Sequence, residues 1–502
     1  MTRRDFSIGK ASAIAISCGV IEDVLPALSA TPRQPILTDG PTEVAQVSSS
    51  PTADIRPREA DALVLGAGIA GLAAARTLVD QSLSVILLEA RDRIGGRLWI
   101  DTLLGLPLDL GASWIHGIKR NLITKLADQF GVETVATDYD NCIVYNFDGR
   151  KISDKEYIAA ESLFESIYAL HEQEEIDMSL QQAFDRVLKN RTLSDDQLHK
   201  LQFVIEGEYA LELGADPDHL SLWEWDQDGE FSGLDVVFPK GYNQITDGLA
   251  NGLDTRLATK VELISYGANG VAVETSSGSF VADKAIVTFP LGVLKQAAVK
   301  FDPPLPAWKQ SAIDRLDMGV LNKVYLKFPN VFWDETFEEI SYMGERTGEW
   351  CDWLNFMPYI NEPVLMAFHG GTKGFTIEEL SDAEIIAGAM KILRVIYGDG
   401  IPEPDGFLIT RWGKDPLAFG SYSYIPPIAS GDDYDALFKP VEMFYILPGR
   451  PQAANIPLPC MEHIYQVSRR RGRSGKWRGM MREVKRVRRL TSHSFLAFPF
   501  AL

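Results

Sequence analysis

Cysteine is scarce in this sequence of 502 residues, which contains four, Cys18, Cys142, Cys351 and Cys460. None of the four stands in a paired spacing such as CxxC, so no zinc motif and no dithiol redox motif is supported. A disulfide is not excluded, although no spacing argues for one. The sequence therefore predicts no metal site.

Long apolar runs are missing as well. The segment ASAIAISCGVI near the amino terminus has about a dozen residues, which is too short to span a bilayer. It follows Arg3 and Arg4, a pattern typical of a twin-arginine (Tat) export signal, with small residues at 27–30 as a cleavage site. We therefore expect residues 1–30 to direct export to a periplasmic, extracellular or lumenal compartment. The alternatives are an ordinary signal peptide and a frayed start of a cytoplasmic protein. Residues 31–57, rich in Pro, Ser and Thr, are predicted to form a flexible linker.

Basic residues are outnumbered by acidic residues over most of the chain. The net charge is −20, and residues 1–440 carry 37 Lys+Arg against 66 Asp+Glu. From Val441 onward the balance reverses, with 12 basic against 3 acidic residues. An acidic body repels nucleic acid and attracts cations by long-range steering, so nucleic acid is not an expected partner. The hydrophobic content of 46% is that of a soluble globular protein.

The first informative block is DALVLGAGIAGLAAARTLVDQSLSVILLEARDRIGGR. Its apolar run Ala62–Leu65 predicts a buried parallel strand, and an Ala-rich helical stretch follows Gly66, Gly68 and Gly71. A second apolar run then ends at Glu89. The glycines permit a tight turn, a close approach of backbone to a diphosphate, and packing of helix on strand, while the acid can accept from a ribose hydroxyl. This βαβ pattern predicts a dinucleotide site and does not separate NAD from FAD.

The sequence blocks that follow distinguish FAD from NAD, because together they resemble those of a known family. RIGGR comes directly after the βαβ unit, and DLGASWIHG follows it. FPKGYNQITDGLA, ATKVELISY, AIVTFPLGVLK, LNKVYLKF and TRWGKDPLAFGSYSYIP then appear in order. This combination resembles the FAD-dependent amine oxidases, which include polyamine and spermine oxidases, monoamine oxidases and lysine-specific histone demethylases. The resemblance covers roughly Ala60 to Pro440.

The resemblance implies an α/β fold, in which a doubly wound, Rossmann-like FAD-binding domain is interleaved with an α+β substrate-binding domain. Three separated segments, 58–120, 237–300 and 405–440, are expected to form the FAD-binding domain. The segments 121–236 and 301–404 are expected to form the substrate-binding domain. Beyond the first βαβ unit, this division depends on the resemblance.

The resemblance also implies which residues bind FAD. The arginines and glycines of the RIGGR and DLGASW blocks would lie against the pyrophosphate and the isoalloxazine, where the rigid fork of an arginine suits a phosphate. The implied FAD-binding residues are Gly66, Gly68, Ala70, Gly71, Glu89, Ala90, Arg91, Gly96, Arg97, Gly111, Ala112, Ser113, Trp114, Val261, Pro290 and Trp412.

Four residues are implied in the chemistry. Lys323 lies in the apolar, strand-like run LNKVYLKF, where a buried ammonium is costly. In the family it would hold a water beside flavin N5; otherwise it would be a strand-edge lysine that reaches solvent. Trp412 would lie near the flavin, Tyr422 would form one wall of an aromatic sandwich, and Tyr424 is a further aromatic of that block. His116 falls at the substrate channel, although a lone histidine is often an ordinary core or surface residue.

The implied function is FAD-dependent oxidation of an amine, of the polyamine oxidase type. A hydride would pass from the carbon next to a neutral amine to the flavin, and O2 would reoxidise the flavin to give hydrogen peroxide. Asp226 and Asp228 either line an acidic entrance or belong to a solvated loop. The alternatives are another FAD oxidoreductase of the same fold, such as an amino-acid oxidase or a carotenoid desaturase-like protein, and an inactive remnant.

The segment VEMFYILPGRPQAANIPLPCMEHIYQVSRRRGR, which begins at Val441, departs from the family pattern. The family has a block of the form FAGEAT…YP…VHGAYLSG at this point. In a shifted reading frame, permitted codon choices from Val441 spell RDVLYFAGEATSSQYPSAVHGAYLSG. We therefore interpret residues 441–502 as the product of a frameshift, whether from a sequence error or a decayed gene. The alternative is a genuine basic tail for nucleic acid or membrane binding.

Overall fold

The computed structural model describes residues 59–168, 176–225, 231–345, 348–441 and 444–446. The predicted export signal and linker, Asp226, Asp228 and nearly all of the basic tail lie outside these residues. Within the described part of the chain, no helix is long and apolar enough to cross a membrane. The thiol of Cys351 is buried and free.

The strands are mostly short and fall into one large, one medium and three small sheets. In chain order they are β1 (Ala60–Leu65), β2 (Val85–Leu88), β3 (Ile100–Asp101), β4 (Leu108–Asp109), β5 (Trp114–Ile115), β6 (Val135–Ala136), β7 (Cys142–Asn146), β8 (Val236–Val237), β9 (Asp254–Arg256), β10 (Val261–Gly267), β11 (Gly270–Thr275), β12 (Gly278–Val287), β13 (Lys300–Asp302), β14 (Asp317–Met318), β15 (Leu321–Lys327), β16 (Glu339–Met343), β17 (Asp352–Asn355), β18 (Val364–Gly370), β19 (Gly406–Ile409), β20 (Ser423–Tyr424) and β21 (Phe444–Ile446).

Several helices begin at a serine whose side chain caps the first turn, as at Ser179, Ser194 and Ser381. The α-helices are α1 (Ile69–Asp80), α2 (Leu122–Phe130), α3 (Asp154–Tyr168), α4 (Leu180–Leu188), α5 (Asp195–Ile205), α6 (Asn243–Ala250), α7 (Leu291–Lys295), α8 (Ala307–Arg315), α9 (Met357–Ile360), α10 (Gly371–Ile377), α11 (Asp382–Tyr397) and α12 (Gly431–Phe438). A π-helical turn, Glu206–Leu211, continues α5.

The large sheet has the strand order β13-β10-β11-β12-β1-β2-β9, and β21 pairs with β12 off this path. β1 lies parallel to both β2 and β12, with Leu63 opposite Ile86 on one side and Ala285 on the other. Its apolar side chains are buried on both faces, as is usual for a central parallel strand. The α/β fold expected from the resemblance is therefore confirmed.

The second sheet has six strands in the order β19-β15-β18-β17-β16-β7. One face packs on α11, and its core includes Ile340, Trp353 and Leu393. β19 pairs antiparallel with β15, so residues 406–409 belong to this sheet and not with the FAD-binding segment 405–440 in which we expected them. Hydrogen bonds to β15 place residues 406–409 in the second sheet. The order of the motifs along the chain does not show which strands pair.

A similar difference occurs after residue 300. The buried side chains Ala312 and Ile313 of α8 belong to the hydrophobic core of the large sheet, together with Leu437 of α12. The segment 301–404, which we expected to lie wholly in the substrate-binding domain, therefore contributes its first residues to the other core. The chain crosses between the two sheets at β14 and β15, and not at residue 300.

Candidate functional site

The glycine turn between β1 and α1 leaves no room for side chains at two of its three glycines. Gly66 has φ +106°, and a Cβ atom on Gly71 would lie 1.9 Å from the carbonyl oxygen of Gly66. Around Gly68, in contrast, the nearest atom to an added Cβ is 3.9 Å away. Gly68 is therefore open on the side that faces away from the turn, at the amino end of α1, where backbone amides favour a phosphate.

Glu89, the acid at the end of β2, is buried and holds the turn in place. One carboxylate oxygen accepts from the backbone N–H of Ala67 at 2.7 Å, and the other accepts from that of Arg91 at 2.8 Å. Each oxygen retains a second lone pair. The residue can therefore receive a ribose hydroxyl while it joins β2 to the glycine turn.

The RIGGR block forms a second turn beside the first. Gly95 donates its N–H to the carbonyl of Ala67 at 2.8 Å, and Gly95 and Gly96 have φ of +96° and +60°. Arg97 is directed into the protein and donates to the carbonyl of Ser421 at 2.6 Å. Burial lowers the pKa of Arg97 to about 10, which leaves it cationic at neutral pH. The turn that contacts the glycine turn thus directs a positive charge, that of Arg97, toward Ser421.

These elements border one cavity of about 340 Å³. Every residue predicted for the site lines it except Gly71, which packs against the turn. The predicted residues on its wall are Gly66, Gly68, Ala70, Glu89, Ala90, Arg91, Gly96, Arg97, Gly111, Ala112, Ser113, Trp114, His116, Val261, Pro290, Lys323, Trp412 and Tyr422. Tyr424 is not on this wall; it lies on β20 and donates its hydroxyl to Asp317 at 3.1 Å.

Lys323 is buried at the centre of the cavity wall, with 4% of its surface exposed, and does not reach solvent. Its Nζ atom donates to the carbonyls of Asp109 and Gly111 at 3.0 and 2.6 Å and to the hydroxyl of Ser113 at 2.6 Å. Burial lowers the pKa of Lys323, whereas the nearby Asp109 carboxyl opposes that change. Three acceptors also favour the ammonium form, because a neutral amine has two N–H donors. The lysine is therefore a fixed ammonium group whose three N–H bonds all bind acceptors of the protein.

Aromatic side chains surround this lysine. The ammonium lies 5.7 Å from the centre of the Trp114 ring, and Phe368 lies 6.1 Å from the same ring. Trp412 is buried and donates its Nε1–H to Leu110 at 3.1 Å. Tyr422 lines the same cavity and donates its hydroxyl to the carbonyl of Leu211 at 3.0 Å. Flat apolar walls of this kind suit both a flavin ring and a methylene chain.

His116 lies beside Trp114, with ring centres 6.3 Å apart and the rings nearly parallel. Its Nδ1 atom is 2.7 Å from the carboxylate of Asp235, a residue to which the sequence analysis assigned no role. The register of β5 and β8 explains the pair, since Ile115 lies opposite Val236 and the next residues meet across the ladder. No motif marks Asp235, and this contact spans 119 positions of the chain.

The end of the cavity away from the glycine turn is lined by carboxylates that sequence reasoning also missed. Glu339 and Ser341 on β16 and Asp352 on β17 lie on its wall, as does Glu212 beyond the π-helical turn. Ile340, between Glu339 and Ser341, and Trp353, next to Asp352, face the core on the other side of the sheet, as strand alternation requires. The alternation of polar and apolar residues is visible in the sequence, but it does not say which face of the sheet borders a cavity.

The residues present fit a flavin dinucleotide. Gly68 leaves space at the amino end of α1, Glu89 retains acceptor capacity, and Arg97 supplies a cation beside them. The indole Nε1–H of Trp114 is buried on the cavity wall without a hydrogen-bond partner among the described residues. A buried donor of this kind is normally satisfied, and here a ligand with ring or phosphate acceptors would do so.

Comparison with known proteins agrees with this geometry. Residues 69–451 match the family described as flavin containing amine oxidoreductase. Polyamine oxidase 4 of Oryza sativa subsp. japonica is 37% identical in an alignment of length 407, which covers 76% of this chain and 82% of that protein. Polyamine oxidase 2 of Arabidopsis thaliana is 34% identical in an alignment of length 425, which covers 80% of this chain and 85% of that protein.

Two further similarities extend the comparison. Lysine-specific histone demethylase 1 homolog 3 of Arabidopsis thaliana is 32% identical over 475 residues, covering 81% of this chain and 29% of the relative. A solved structure of putrescine oxidase, redesigned in its cofactor binding, superposes with a TM-score of 0.66. It is 20% identical, and the match covers 81% of this chain and 98% of that one, so it supports the fold.

Proposed function

Because this chain belongs to the flavin-containing amine oxidoreductases and its cofactor is FAD, we propose that it oxidises polyamines and releases hydrogen peroxide. Amine oxidation follows from the family. Polyamine as the substrate class is supported by two relatives named polyamine oxidase and by the shape and charge of the cavity. The observation that carries the proposal is that a single cavity joins the glycine turn to a group of carboxylates by way of Lys323.

The distances in the second sheet match a substrate with several ammonium groups. Lys323 lies opposite Phe368 on the adjacent β18, while Asp352 lies on β17, the next strand, opposite Ser341. Adjacent strands are about 4.8 Å apart, so the backbone at Asp352 lies roughly 10 Å from the backbone at Lys323 across the sheet. A polyamine extended over this wall would place its reacting carbon near the lysine and a distal ammonium near the carboxylates.

Charge along the cavity also supports a polycation. Arg91, Arg97 and Lys260 line the end that contains the glycine turn, where a diphosphate would lie. Glu212, Glu339 and Asp352 line the other end. Carboxylates in a partly apolar cavity attract ammonium groups strongly because the local dielectric is lower than in water. A monoamine would leave this end of the cavity without a cation.

The residues of this chain have three tasks in the reaction. When bound, FAD supplies the acceptor for the hydride removed next to the amine nitrogen and passes the electrons to O2. Lys323 holds its ammonium group at a constant position on the cavity wall, because three acceptors fix its Nζ atom. Trp114, Phe368 and Tyr422 exclude water and guide the methylene chain. The carboxylates fix which part of the chain reaches the lysine.

Oxidation of an amino acid is the second candidate, and the cavity does not favour it. A substrate carboxylate needs a cationic partner, for which an arginine is the usual choice. Among the described residues of the wall, the arginines are Arg91 and Arg97, both beside the glycine turn. The far end carries carboxylates, which would repel that substrate.

A peroxide assay tests the proposed function. The protein with the restored reading frame, loaded with FAD, would be offered spermine, spermidine, acetylated polyamines and aromatic monoamines, with peroxide release as the measured rate. We expect turnover of at least one polyamine and much slower turnover of the monoamines. Peroxide from no amine would overturn the function, and a preference for amino acids would favour the second candidate.

The double variant Glu339→Gln and Asp352→Asn tests the substrate class. Removal of both charges should raise KM for spermine about ten-fold or more, because two charged hydrogen bonds are weakened. KM for a reacting monoamine should change little. Asp254→Asn, on the exposed β9, is the matched control and should change neither value. An unchanged KM for spermine in the double variant would remove the carboxylates from substrate binding.

A further inference from the structure

Trp412 lines the cavity just after the point where its strand ends. β19 ends at Ile409, and the N–H of Thr410 still donates to the carbonyl of Lys323 on β15 at 3.0 Å. Residues 412–414 then form a turn that is outside the sheet. The backbone N–H groups of this turn therefore need partners other than a neighbouring strand.

Two buried side chains supply these partners. Oδ1 of Asn322 accepts from the N–H of Trp412 at 3.0 Å, and Oε1 of Glu378 accepts from the N–H of Gly413 at 2.7 Å. The same Oε1 atom accepts from Nδ2 of Asn322 at 2.7 Å, which joins the two side chains. Asn322 has 0% of its surface exposed and Glu378 has 3%, so water does not compete for these contacts.

Asn322 uses the full hydrogen-bonding capacity of its amide. Nδ2 also donates to the carbonyl of Gly374 at 3.0 Å, and Oδ1 also accepts from the hydroxyl of Thr410 at 3.0 Å. That hydroxyl accepts from the backbone N–H of Lys323 at 2.8 Å. An amide has two N–H donors and two acceptor lone pairs, and all four are occupied here. One side chain therefore connects the strand of Lys323 with the turn of Trp412.

The indole of Trp412 is held at its far end as well, where its Nε1–H donates to the carbonyl of Leu110 at 3.1 Å. Trp412 and Lys323 belong to the described residues that line the cavity, and Asn322 and Glu378 do not. The two joined side chains can therefore affect a ligand only through the residues that they hold in place.

We infer that Asn322 and Glu378 are positioning residues, which hold the indole of Trp412 at the place on the cavity wall where FAD meets it. The inference rests on FAD as the cofactor and on the predicted contact between FAD and Trp412. It does not depend on which amine is oxidised. Without the two side chains, the backbone of the turn loses its partners, the indole changes position and FAD binds more weakly.

Asn355 on β17 provides a matched control. It also has 0% of its surface exposed, and its amide also has four partners. These partners are the indole N–H of Trp333, the backbone N–H of Met357 and the carbonyls of Glu335 and Phe337. None of the four belongs to the described residues that line the cavity. Asn322→Ala and Asn355→Ala should therefore lower the free energy of unfolding by similar amounts, and only Asn322→Ala should affect FAD.

Calorimetry of FAD binding, on the protein with the restored reading frame, is the first measurement. The dissociation constant should rise about ten-fold or more in Asn322→Ala and in Glu378→Leu, as expected when hydrogen bonds between buried groups are lost. Glu378→Gln keeps an oxygen acceptor at the Oε1 position. This variant and Asn355→Ala should therefore stay within about two-fold of the unsubstituted protein.

The second measurement follows the indole itself and needs no cofactor. The full chain would be labelled with 5-fluorotryptophan, and Trp412→Phe would identify the ¹⁹F signal of this side chain. The signal should shift in Asn322→Ala and in Glu378→Leu, because the turn has lost its partners. It should keep its position in Glu378→Gln and in Asn355→Ala.

Several outcomes would overturn the inference. These are unchanged FAD affinity in Asn322→Ala, an equal loss of affinity in Asn355→Ala, equal affinities of Glu378→Gln and Glu378→Leu, an unmoved indole signal, or no FAD binding by the unsubstituted protein. If Asn322→Ala does not fold, the two Glu378 variants decide the matter. A protein that shows the expected differences but yields no peroxide from any amine would overturn the oxidase function and leave the positioning role in place.

Discussion

At the scale of single residues, two buried lysines have similar surroundings and different positions. Lys323 lines the cavity, whereas Lys309 on α8 donates to three carbonyls at the end of α12. Both Nζ atoms therefore have three oxygen partners. Burial and hydrogen bonding alone do not mark a functional lysine, and the cavity makes the difference.

Replacement of these lysines by Met should separate the two roles. In Lys323→Met the ammonium group that holds Asp109, Gly111 and Ser113 in place on the cavity wall is lost, and we expect kcat/KM for the best polyamine to fall about ten-fold or more, roughly the value of one charged hydrogen bond. In Lys309→Met three carbonyls lose their partner, and the free energy of unfolding should fall by about 2–4 kcal/mol with kcat unchanged. Amine kinetics and urea unfolding measure these effects. Equal kinetic losses in both variants would contradict the assignment.

A third buried residue predicts a pH effect on stability. His369 is 4% exposed, packs edge-on against Trp350 with ring centres 4.4 Å apart, and has its pKa lowered to about 3 by burial. The unfolded chain binds a proton on this residue near pH 6.5, whereas the folded protein does not. Its contribution to stability is therefore present above that pH and is lost as the pH falls toward 3.

The slope of this loss is up to about 1.4 kcal/mol per pH unit for one proton. Urea unfolding at pH 7 and pH 5 should show a smaller pH dependence for His369→Gln than for the wild type. His219→Gln, at an exposed histidine, serves as the control and should keep the wild-type dependence. The same slope in all three proteins would show that His369 does not titrate in this way.

At the scale of secondary-structure elements, the β1–α1 turn needs glycine at positions 68 and 71 for two different structural reasons. A Cβ atom on Gly71 would collide with the carbonyl of Gly66, while one on Gly68 would meet no atom closer than 3.9 Å. The first glycine thus serves the packing of α1 on β1. The second leaves space for the cofactor. The family pattern lists both in one motif and does not distinguish these reasons.

Alanine at each position should reveal the difference. Gly68→Ala should keep the thermal stability of the protein without cofactor and weaken FAD binding about ten-fold or more, because the methyl group occupies the phosphate approach. Gly71→Ala should lower the unfolding free energy by about 2 kcal/mol or more, since backbone must move. Calorimetry of FAD binding and thermal unfolding measure these changes. If Gly68→Ala binds FAD as well as the wild type, the phosphate does not approach there.

At the scale of the whole molecule, the segment from Val441 falls where the resemblance implies part of the cofactor site. β21, Phe444–Ile446, pairs in parallel with Ala285–Val287 beside the central strands, and the family match ends at residue 451. The frameshift hypothesis covers residues 441–502, where the resemblance implies a block facing FAD. We expect the protein as written to hold little flavin, and a version with the restored frame to purify as a yellow protein.

Flavin absorbance of the two purified proteins tests this expectation, and equal absorbance would refute it. DNA sequencing across the codons for Pro440–Gln466 tests its premise independently. A clean read whose shifted frame does not encode the family block would end the frameshift hypothesis. The alternative, a genuine basic tail, would then stand.

How much the sequence predicts depends on how far apart the interacting residues are. The glycine turn, Glu89 and RIGGR lie within about forty consecutive positions, and their spacing is enough to predict a dinucleotide site, because local hydrogen bonds such as that of Ala67 to Glu89 build it. The burial of Lys323 in a strand also follows from the apolar run around it. The identity of the family follows from the order of the blocks.

Tertiary structure decided what surrounds Lys323. The acceptors of Lys323 come from residues more than two hundred positions away, and Asp235 reaches His116 through the register of β5 and β8. The carboxylates Glu339 and Asp352 line the cavity because one face of the second sheet borders it while the other packs on α11. A strand pattern shows that two faces differ, but the choice of face and partner depends on packing between distant segments.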